Sequence, residues 1–352
     1  MDLNEIRNKI DKIDRELMGL IEERFEYSIR SRKFKTAVND PEREKQVISN
    51  IKNMHFDLIK NELRENFIKE LIKEGKLLQS ENKGLVAFQG EHGAYGEVAS
   101  RKLMPDSFYI PCVEFIDVFK GVSEGYFDFG VVPVENSLEG SVTEPNEILV
   151  NTDLNVIGEI NIRINHCLLA PQGSDHRMIK MVYSHPQALA QCRGFISRNK
   201  LEPRPFYDTA GSAKMISREK PFGAAAIASE LAAELYDLMI IKSAIEDQET
   251  NYTRFLILSE KPYTGEGNKC SIVFATKHES GKLFNILKLF AESNVNLTRI
   301  SSAPRRDDPG NYNFFCDFEG SDKDEKIKKI LEKIKKNAVH LNFLGCYPSK
   351  DR

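Results

Sequence analysis

The sequence predicts a multidomain chain: an all-α helical segment, then an α/β segment, then a smaller α+β segment of ferredoxin-like order. Three observations predict it. Asp2–Val38 has apolar residues at helical spacing, no proline and only Gly19 as a glycine. From Leu85 onward, short apolar runs alternate with helical stretches. From Cys270 onward the order reads βαββαβ. At 352 residues the chain exceeds one ordinary core, and two or three domains are expected.

Each element follows from its local pattern. Leu3, Ile6, Ile10, Ile13, Leu17 and Leu20 recur at a 3-4 spacing, the stripe of a long amphipathic helix with a helical partner. Pro41 is expected to end that helix. Glu42–Asn53 and Ile59–Gln79 read as two more helices. Three helices bury such a stripe poorly, so dimerisation is expected. Polar Ser80–Gly84 marks the first boundary, and the breaker-rich Lys261–Asn268 the second. Between them, Leu85–Phe88, Phe129–Val132, Asn155–Ile160 and Met181–Tyr183 read as strands. Glu114–Ser123, Ala188–Arg198, Ala210–Ser217 and Ala224–Tyr236 read as helices. In the last segment, strands are expected at Cys270–Ala275, Val295–Ile300, Asn313–Phe318 and Val339–Leu344, with helices at Lys282–Ser293 and Lys323–Lys336.

Several function classes are disfavoured. A net charge of −3 gives no field for nucleic acid or an anionic membrane. No apolar run approaches spanning length, and MDLNEIRNKID is charged and helical with no apolar leader core. Six scattered cysteines without a C-x-x-C pair fit reduced thiols in a cytoplasmic protein, not a zinc site. No Walker loop or dinucleotide glycine motif follows a strand, so neither metal nor cofactor is expected.

The run Gly130–Val142 (GVVPVENSLEGSV) carries the first chemistry. An apolar run stopping at a polar turn reads as a buried strand delivering Glu135, Asn136 and Ser137 to a sheet edge, where open α/β sheets bind ligands. An ordinary Asn-Ser turn would look the same. Ser184–His185–Pro186, Asp208–Thr209 and Ser141–Thr143 precede helices, where hydroxyls and backbone N–H groups bind carboxylates or simply cap. In the first helix the 3-4 spacing runs on to Arg24 and Tyr27, and continued helix would return Lys35 to the face of Arg24. Either these cations meet buried partners or the helix end is solvated.

FQGEHGAYGE (Phe88–Glu97), YSHPQALAQC (Tyr183–Cys192), YDTAGSA (Tyr207–Ala213) and DQETNYTRF (Asp247–Phe255) occur in family order, and with the Gly130–Val142 run they resemble the prephenate dehydratases from about Gly84 to Lys261. The N-terminal segment resembles an all-helical chorismate mutase, and the C-terminal segment an ACT regulatory domain. The whole resembles the bifunctional chorismate mutase/prephenate dehydratases of phenylalanine synthesis, with segments at 1–80, 84–261 and 268–350.

The resemblance implies a two-lobed α/β dehydratase fold like that of periplasmic binding proteins. It implies that Asn136, Ser184, Gln191, Thr209 and Thr253 are catalytic or substrate-binding, with Arg254 and Phe255 completing a Thr-Arg-Phe signature and Glu135 and His185 adjacent. Arg254 is expected to fix a carboxylate or the loop. In the helical segment, Arg7 (from the partner chain), Arg24, Lys35 and Arg43 match the cations that hold chorismate, Asp40 and Glu44 match acids near its hydroxyl, and Gln79 shares the ether oxygen. In the last segment Gly281, Leu283, Asn296, Leu297 and Ser302 match phenylalanine-contacting loops.

The implied partners are chorismate, prephenate, phenylalanine and a second copy of the chain in a homodimer or higher oligomer. Three departures stand out. Gly75 replaces a polar residue and is expected to fray its helix. Gly96 replaces a hydroxyl residue, and Ser301-Ser302-Ala303-Pro304 replaces Glu-Ser-Arg-Pro. Two other readings remain open at this level: a catalytically silent small-anion sensor, and a dehydratase whose helical segment only dimerises.

Overall fold

The computed structural model describes residues 2–305 and 311–349. Met1 and Lys350, outer ends of the first and third expected segments, lie outside the described residues. The chain divides into two compact units, Met1–Leu85 and Val86–Arg352.

The first unit holds α1 (Leu3–Ser31), α2 (Pro41–Asn53) and α3 (Asn61–Ser80). A capping box between Asp2 and Glu5 starts α1. The helix stops at Ser31, well before Pro41; a 3-10 turn over Arg32–Phe34 follows, and the chain is extended at Lys35 (φ −119°, ψ 147°). Lys35 therefore lies on no helical face with Arg24. The Arg32 guanidinium donates to the carbonyls of Glu81 and Lys83, which ties the turn to the end of α3. Pro41 opens α2 instead of closing α1. Its missing N–H costs nothing at the first helical position, and Asp40 caps the helix by accepting from the Arg43 N–H at 3.0 Å. Helix α3 runs unbroken through Gly75, which is buried. A Cβ there would sit 2.7 Å from Ser28 Oγ, so glycine is what allows the close approach of α3 to α1. The six stripe residues Leu3 to Leu20 remain 40–63% exposed within one chain.

The second unit begins with β1 (Gly84–Gln89), α4 (Tyr95–Leu103), β2 (Ser107–Cys112), α5 (Phe115–Ser123), β3 (Phe129–Asn136), β4 (Gly140–Ser141), α6 (Thr143–Leu149) and β5 (Asn155–Arg163). The chain then crosses to β6 (Cys167–Pro171), β7 (Met181–Ser184), α7 (Pro186–Gln191), α8 (Arg193–Arg198), β8 (Glu202–Pro205), α9 (Thr209–Glu219), β9 (Ala224–Ala228), α10 (Glu230–Leu235) and β10 (Leu238–Lys242). It returns as β11 (Tyr252–Ser259). The first sheet runs β2-β1-β3-β11-β5, and the second β10-β6-β9-β7-β8. This makes two lobes joined by two crossovers, which pair through Ile164 N–H to Asn251 O (2.8 Å) and Ile245 N–H to His166 O (3.1 Å).

The expected helix Ala224–Tyr236 is instead strand β9 followed by the short α10. All five residues of β9 are buried between β6 and β7. Small side chains let α9 and α10 close over this interior strand, and tertiary burial overrides alanine's helix preference. The expected helix over 188–198 breaks at Cys192 into α7 and α8.

The chain ends with β12 (Lys269–Ala275), α11 (Lys282–Glu292), β13 (Leu297–Pro304), β14 (Tyr312–Glu319), α12 (Glu325–Asn337) and β15 (His340–Tyr347). The antiparallel sheet β13-β14-β12-β15, with both helices against one face, is the predicted ferredoxin-like module.

Candidate active sites

In the helical unit, Arg24 donates to the Leu71 carbonyl at 3.0 Å, joining α1 to α3. Gln79 is buried, and its Nε2 donates to Ser28 Oγ at 2.7 Å; its Oε1 has no partner among the described residues. Glu44 of α2 pairs with Lys76 of α3 at 2.6 Å. Arg24, Glu44 and Gln79 thus reach a common α3 surface. Burial lowers the Arg24 pKa.

Other expected residues stand apart. Lys35 is exposed on extended backbone. Arg43 is exposed and donates to Gln46 Oε1 at 2.7 Å, while Asp40 is occupied as the α2 cap. Arg7 lies about 25 Å along α1 from Arg24, so one chain cannot bring the two together. Ser28 and Lys76 escaped the sequence reading, because nothing local marks a serine or lysine that meets its partner across helices.

The α/β unit builds its polar centre where β3 and β11 end side by side. Asn136 and Thr253 are register partners, and both are buried. Asn136 Oδ1 accepts from the N–H groups of Leu138 (2.9 Å) and Glu139 (3.1 Å), closing the turn after β3. Those two backbone donors fix which end of the amide is oxygen. Nδ2 must therefore point the other way, and it donates to Thr253 Oγ1 (2.9 Å) and Asn251 Oδ1 (2.8 Å). Thr253 Oγ1 is thereby an acceptor from Asn136.

Asn251 Nδ2 donates to Gln191 Oε1 at 3.1 Å, and Gln191 Nε2 donates to the Glu139 carboxylate at 3.0 Å. Asn136, Thr253 and Gln191 are thus brought together. The sequence reading missed Asn251 and Glu139, although both lie within the quoted motifs. Ser137 ties its loop to β11 by donating to the Thr250 carbonyl at 2.7 Å.

The remaining expected residues sit in structural roles. Ser184 is fully buried and donates to the Ile227 carbonyl of β9 at 2.7 Å. His185 caps α7, its Nδ1 accepting from the Gln187 N–H at 3.3 Å. Thr209 is the first residue of α9, capped by Asp208 through the Gly211 N–H at 2.7 Å; burial pushes the Asp208 carboxyl up. Gly96 lies in α4 over β1, where a Cβ would be 3.3 Å from Phe88 Cβ, a tight fit for a hydroxyl side chain.

Arg254 is turned away from Thr253, as strand alternation requires. Instead of a ligand carboxylate it meets Glu159 of β5, with Nε donating at 2.6 Å, Asp317 of β14 at 2.5 Å, and the Tyr347 hydroxyl of β15 at 3.1 Å. Glu135 lies on this same face, 3.9 Å from Arg254 and 3.7 Å from Arg299 of β13. It is thus separated from Asn136 by the strand itself. Burial pushes the Asp317 carboxyl up, but Arg254 and Arg299 more than offset it and hold it below the usual range. Glu159 is held down likewise by Arg254 and Lys269. Phe255 fills the core with Val86, Ala99 and Val131.

In the ferredoxin-like module, Leu283 and Ser302 line a cavity of about 520 Å³ with Thr276, His278 and Tyr312. Asn296 lines a separate cavity of about 530 Å³ and donates to Glu319 Oε1 at 3.0 Å. Gly281, in left-handed backbone at φ 82°, starts α11, and Leu297 packs on the core. One chain therefore splits these five positions among different places. Among the described residues no cluster of His, Cys, Asp or Glu could hold a metal ion, and no helix is long and apolar enough to cross a membrane.

Comparison with known proteins accounts for all three modules. Residues 6–80 match the family model for chorismate mutase type II, 86–263 that for prephenate dehydratase, and 274–336 that for the ACT domain. The chain is similar to an arogenate dehydratase/prephenate dehydratase 2 (chloroplastic) of Arabidopsis thaliana, at 38% identity over 83% of this chain and 78% of that one. It is also similar, at 34% identity over 99% of this chain and 98% of the other, to the bifunctional chorismate mutase/prephenate dehydratase of Aquifex aeolicus. Among solved structures it resembles the prephenate dehydratase of Arthrobacter aurescens in complex with L-Phe (TM-score 0.69, 29% identity, 75% of this chain, 90% of that one). With three modules in one order and a full-length relative sharing it, the chain belongs to the bifunctional chorismate mutase/prephenate dehydratase family.

Proposed function

We propose that this chain rearranges chorismate to prephenate in its helical unit and converts prephenate to phenylpyruvate in its α/β unit, under feedback control by phenylalanine. The rearrangement is pericyclic and needs no acid, base or covalent intermediate. Its site has to hold a compact conformer and stabilise charge building on the ether oxygen. Arg24, Glu44 and Gln79 would supply that from one chain, and Arg7 from a second copy; Lys35 and Arg43, exposed outside this surface in one chain, would have to turn onto the substrate. The exposed α1 stripe supports a homodimer, since only another chain's apolar face would cover it. A cytoplasmic setting suits six buried cysteines of which none is in a disulfide.

The dehydratase step breaks the bond from the ring to its carboxylate, which leaves as carbon dioxide. The released electron pair aromatises the ring and expels the hydroxyl group, which leaves as water after taking a proton. The observation that supports the assignment is the fixed direction of Asn136: its Nδ2 donates to Thr253 Oγ1, so we read the Thr253 hydrogen as the one turned to substrate. A threonine hydroxyl is too weak an acid to act alone, so Thr253 delivers a proton drawn from water or a nearby acid.

The test is incubation of the purified chain with chorismate while phenylpyruvate absorbance is followed. Lys35→Ala should lower chorismate turnover by at least about tenfold while prephenate turnover stays unchanged. Equal losses in both would defeat the assignment of two separate sites. Arogenate serves as the competing substrate, because the Arabidopsis relative is named for both.

A further inference from the structure

The hydrogen bonds that fix Thr253 extend past Gln191 to a buried histidine, and their directions bear on its tautomer. Asn136 is oriented by two backbone N–H groups, so Asn251 presents Oδ1 to it. Asn251 then presents Nδ2 to Gln191, and Gln191 presents Oε1 to Asn251. The same Oε1 lies 2.9 Å from His166 Nε2. An amide oxygen has no hydrogen to offer, so the proton of that contact belongs to the ring nitrogen. His166 Nδ1 faces the Tyr95 hydroxyl at 3.2 Å; with Nε2 carrying the ring proton, that nitrogen accepts, sharing the one hydroxyl hydrogen with the Asn165 carbonyl at 2.8 Å.

Placement adds a second observation. His166 is 2% exposed and lies on the crossover between β5 and β6, where the two lobes join. Its N–H donates to Glu246 Oε2 at 2.9 Å, and its carbonyl accepts from Ile245, both on the returning crossover. Gln191 belongs to the second lobe; Asn136 and Thr253 belong to the first. His166 therefore stands at the joint and holds Gln191, the second-lobe amide that bonds to both Asn251 and Glu139, while Gln187 of the same helix reaches Glu139 alone.

We infer that His166, as the Nε2–H tautomer, is a positioning residue of the dehydratase site: it keeps Gln191 Oε1 turned inward and so presents Gln191 Nε2 toward Glu139 and the cleft. Burial lowers the ring's pKa and favours the neutral form this requires. Without the ring N–H, only Asn251 holds Gln191 Oε1, and the amide is free to reverse, offering an acceptor where a donor stood.

The inference rests on reading this unit as a prephenate dehydratase, and the test separates the two. In the full chain with 15N-labelled histidine, long-range proton–nitrogen spectra should show His166 protonated at Nε2, the signal being assigned by its loss in His166→Phe. An Nδ1-protonated ring overturns the inference whatever the activity. In kinetics with prephenate, His166→Phe should lower kcat/KM about tenfold, and His166→Gln should recover part of the loss through its own amide N–H. Combined with Gln191→Met, His166→Phe should add less than about twofold, because it acts through that residue. Multiplying losses, or wild-type kinetics in His166→Phe, overturn the inference. A wild-type chain without prephenate turnover overturns the dehydratase reading and leaves the tautomer measurement standing.

Discussion

Thr253 and Asn136 are neighbours only because β11 pairs with β3 in one register, Thr253 opposite Asn136. A hydroxyl that already accepts from protein has one hydrogen left to give. Thr253→Ala should therefore abolish most dehydratase turnover while prephenate binding by calorimetry changes little; a collapse of binding would make Thr253 an anchor instead. The Gly75–Ser28 contact sets another residue-scale expectation. A side chain at 75 meets Ser28 Oγ at 2.7 Å, so Gly75→Ser should cost about 1–3 kcal/mol in denaturant unfolding of the helical unit. Pairing it with Ser28→Ala should recover most of that loss, since the hydroxyl is then offered from α3 instead of α1.

Among elements, β11 faces two ways. Thr253 points into the polar centre where β3 and β11 meet, and the next residue, Arg254, points at β14 and β15 of the ferredoxin-like module. A shift of that module therefore acts on a strand one residue from the Thr253 hydroxyl, which would give the proposed feedback a physical route. Removing Arg254 leaves Asp317 and Glu159 buried beside fewer cations. Arg254→Met should destabilise the α/β unit by about 3–5 kcal/mol at neutral pH, read by denaturant unfolding. Both carboxyls are depressed in the folded state, so their stabilisation is present above the ordinary carboxyl pKa of about 4 and is lost as pH falls through the lower folded values. The gap between wild type and Arg254→Met should accordingly narrow with acidification below about pH 4. A gap that widened there would contradict the ion network.

For the whole molecule, the unpartnered stripe on α1 is the decisive surface. Ile13→Glu with Leu17→Glu should shift sedimentation to a smaller species and reduce chorismate turnover with it, since the proposed delivery of Arg7 by a second copy would then be lost. Retained mutase activity in a monomer would remove Arg7 from the site. Phenylalanine titrated by calorimetry should give heat and slow the dehydratase. No heat would mean that the altered loop Ser301–Pro304 has lost the effector.

Local pattern carried much of this into the sequence. The 3-4 spacing of Leu3 to Leu20 gave α1 its start, and the βαββαβ order of the last module was legible because each element repeats its own period. The quoted motifs held Asn136, Gln191, Asn251 and Thr253 without saying which of them touch. Pro41 was ambiguous, since a proline stops one helix and starts another with equal ease. Ala224–Ala228 read as helix because alanine's preference is local, while burial between two strands is not. Arg254 looked like a ligand group because its partner Asp317 lies 63 residues away on another module. His166 stood in no motif, and its proton was placed only by a chain of hydrogen bonds through three side chains from distant segments. Periodicity, caps and composition act over a few residues, and they determined the modules and their kinds of element. Orientation, pairing and burial arise from contacts between remote segments, and these only the folded structure decided.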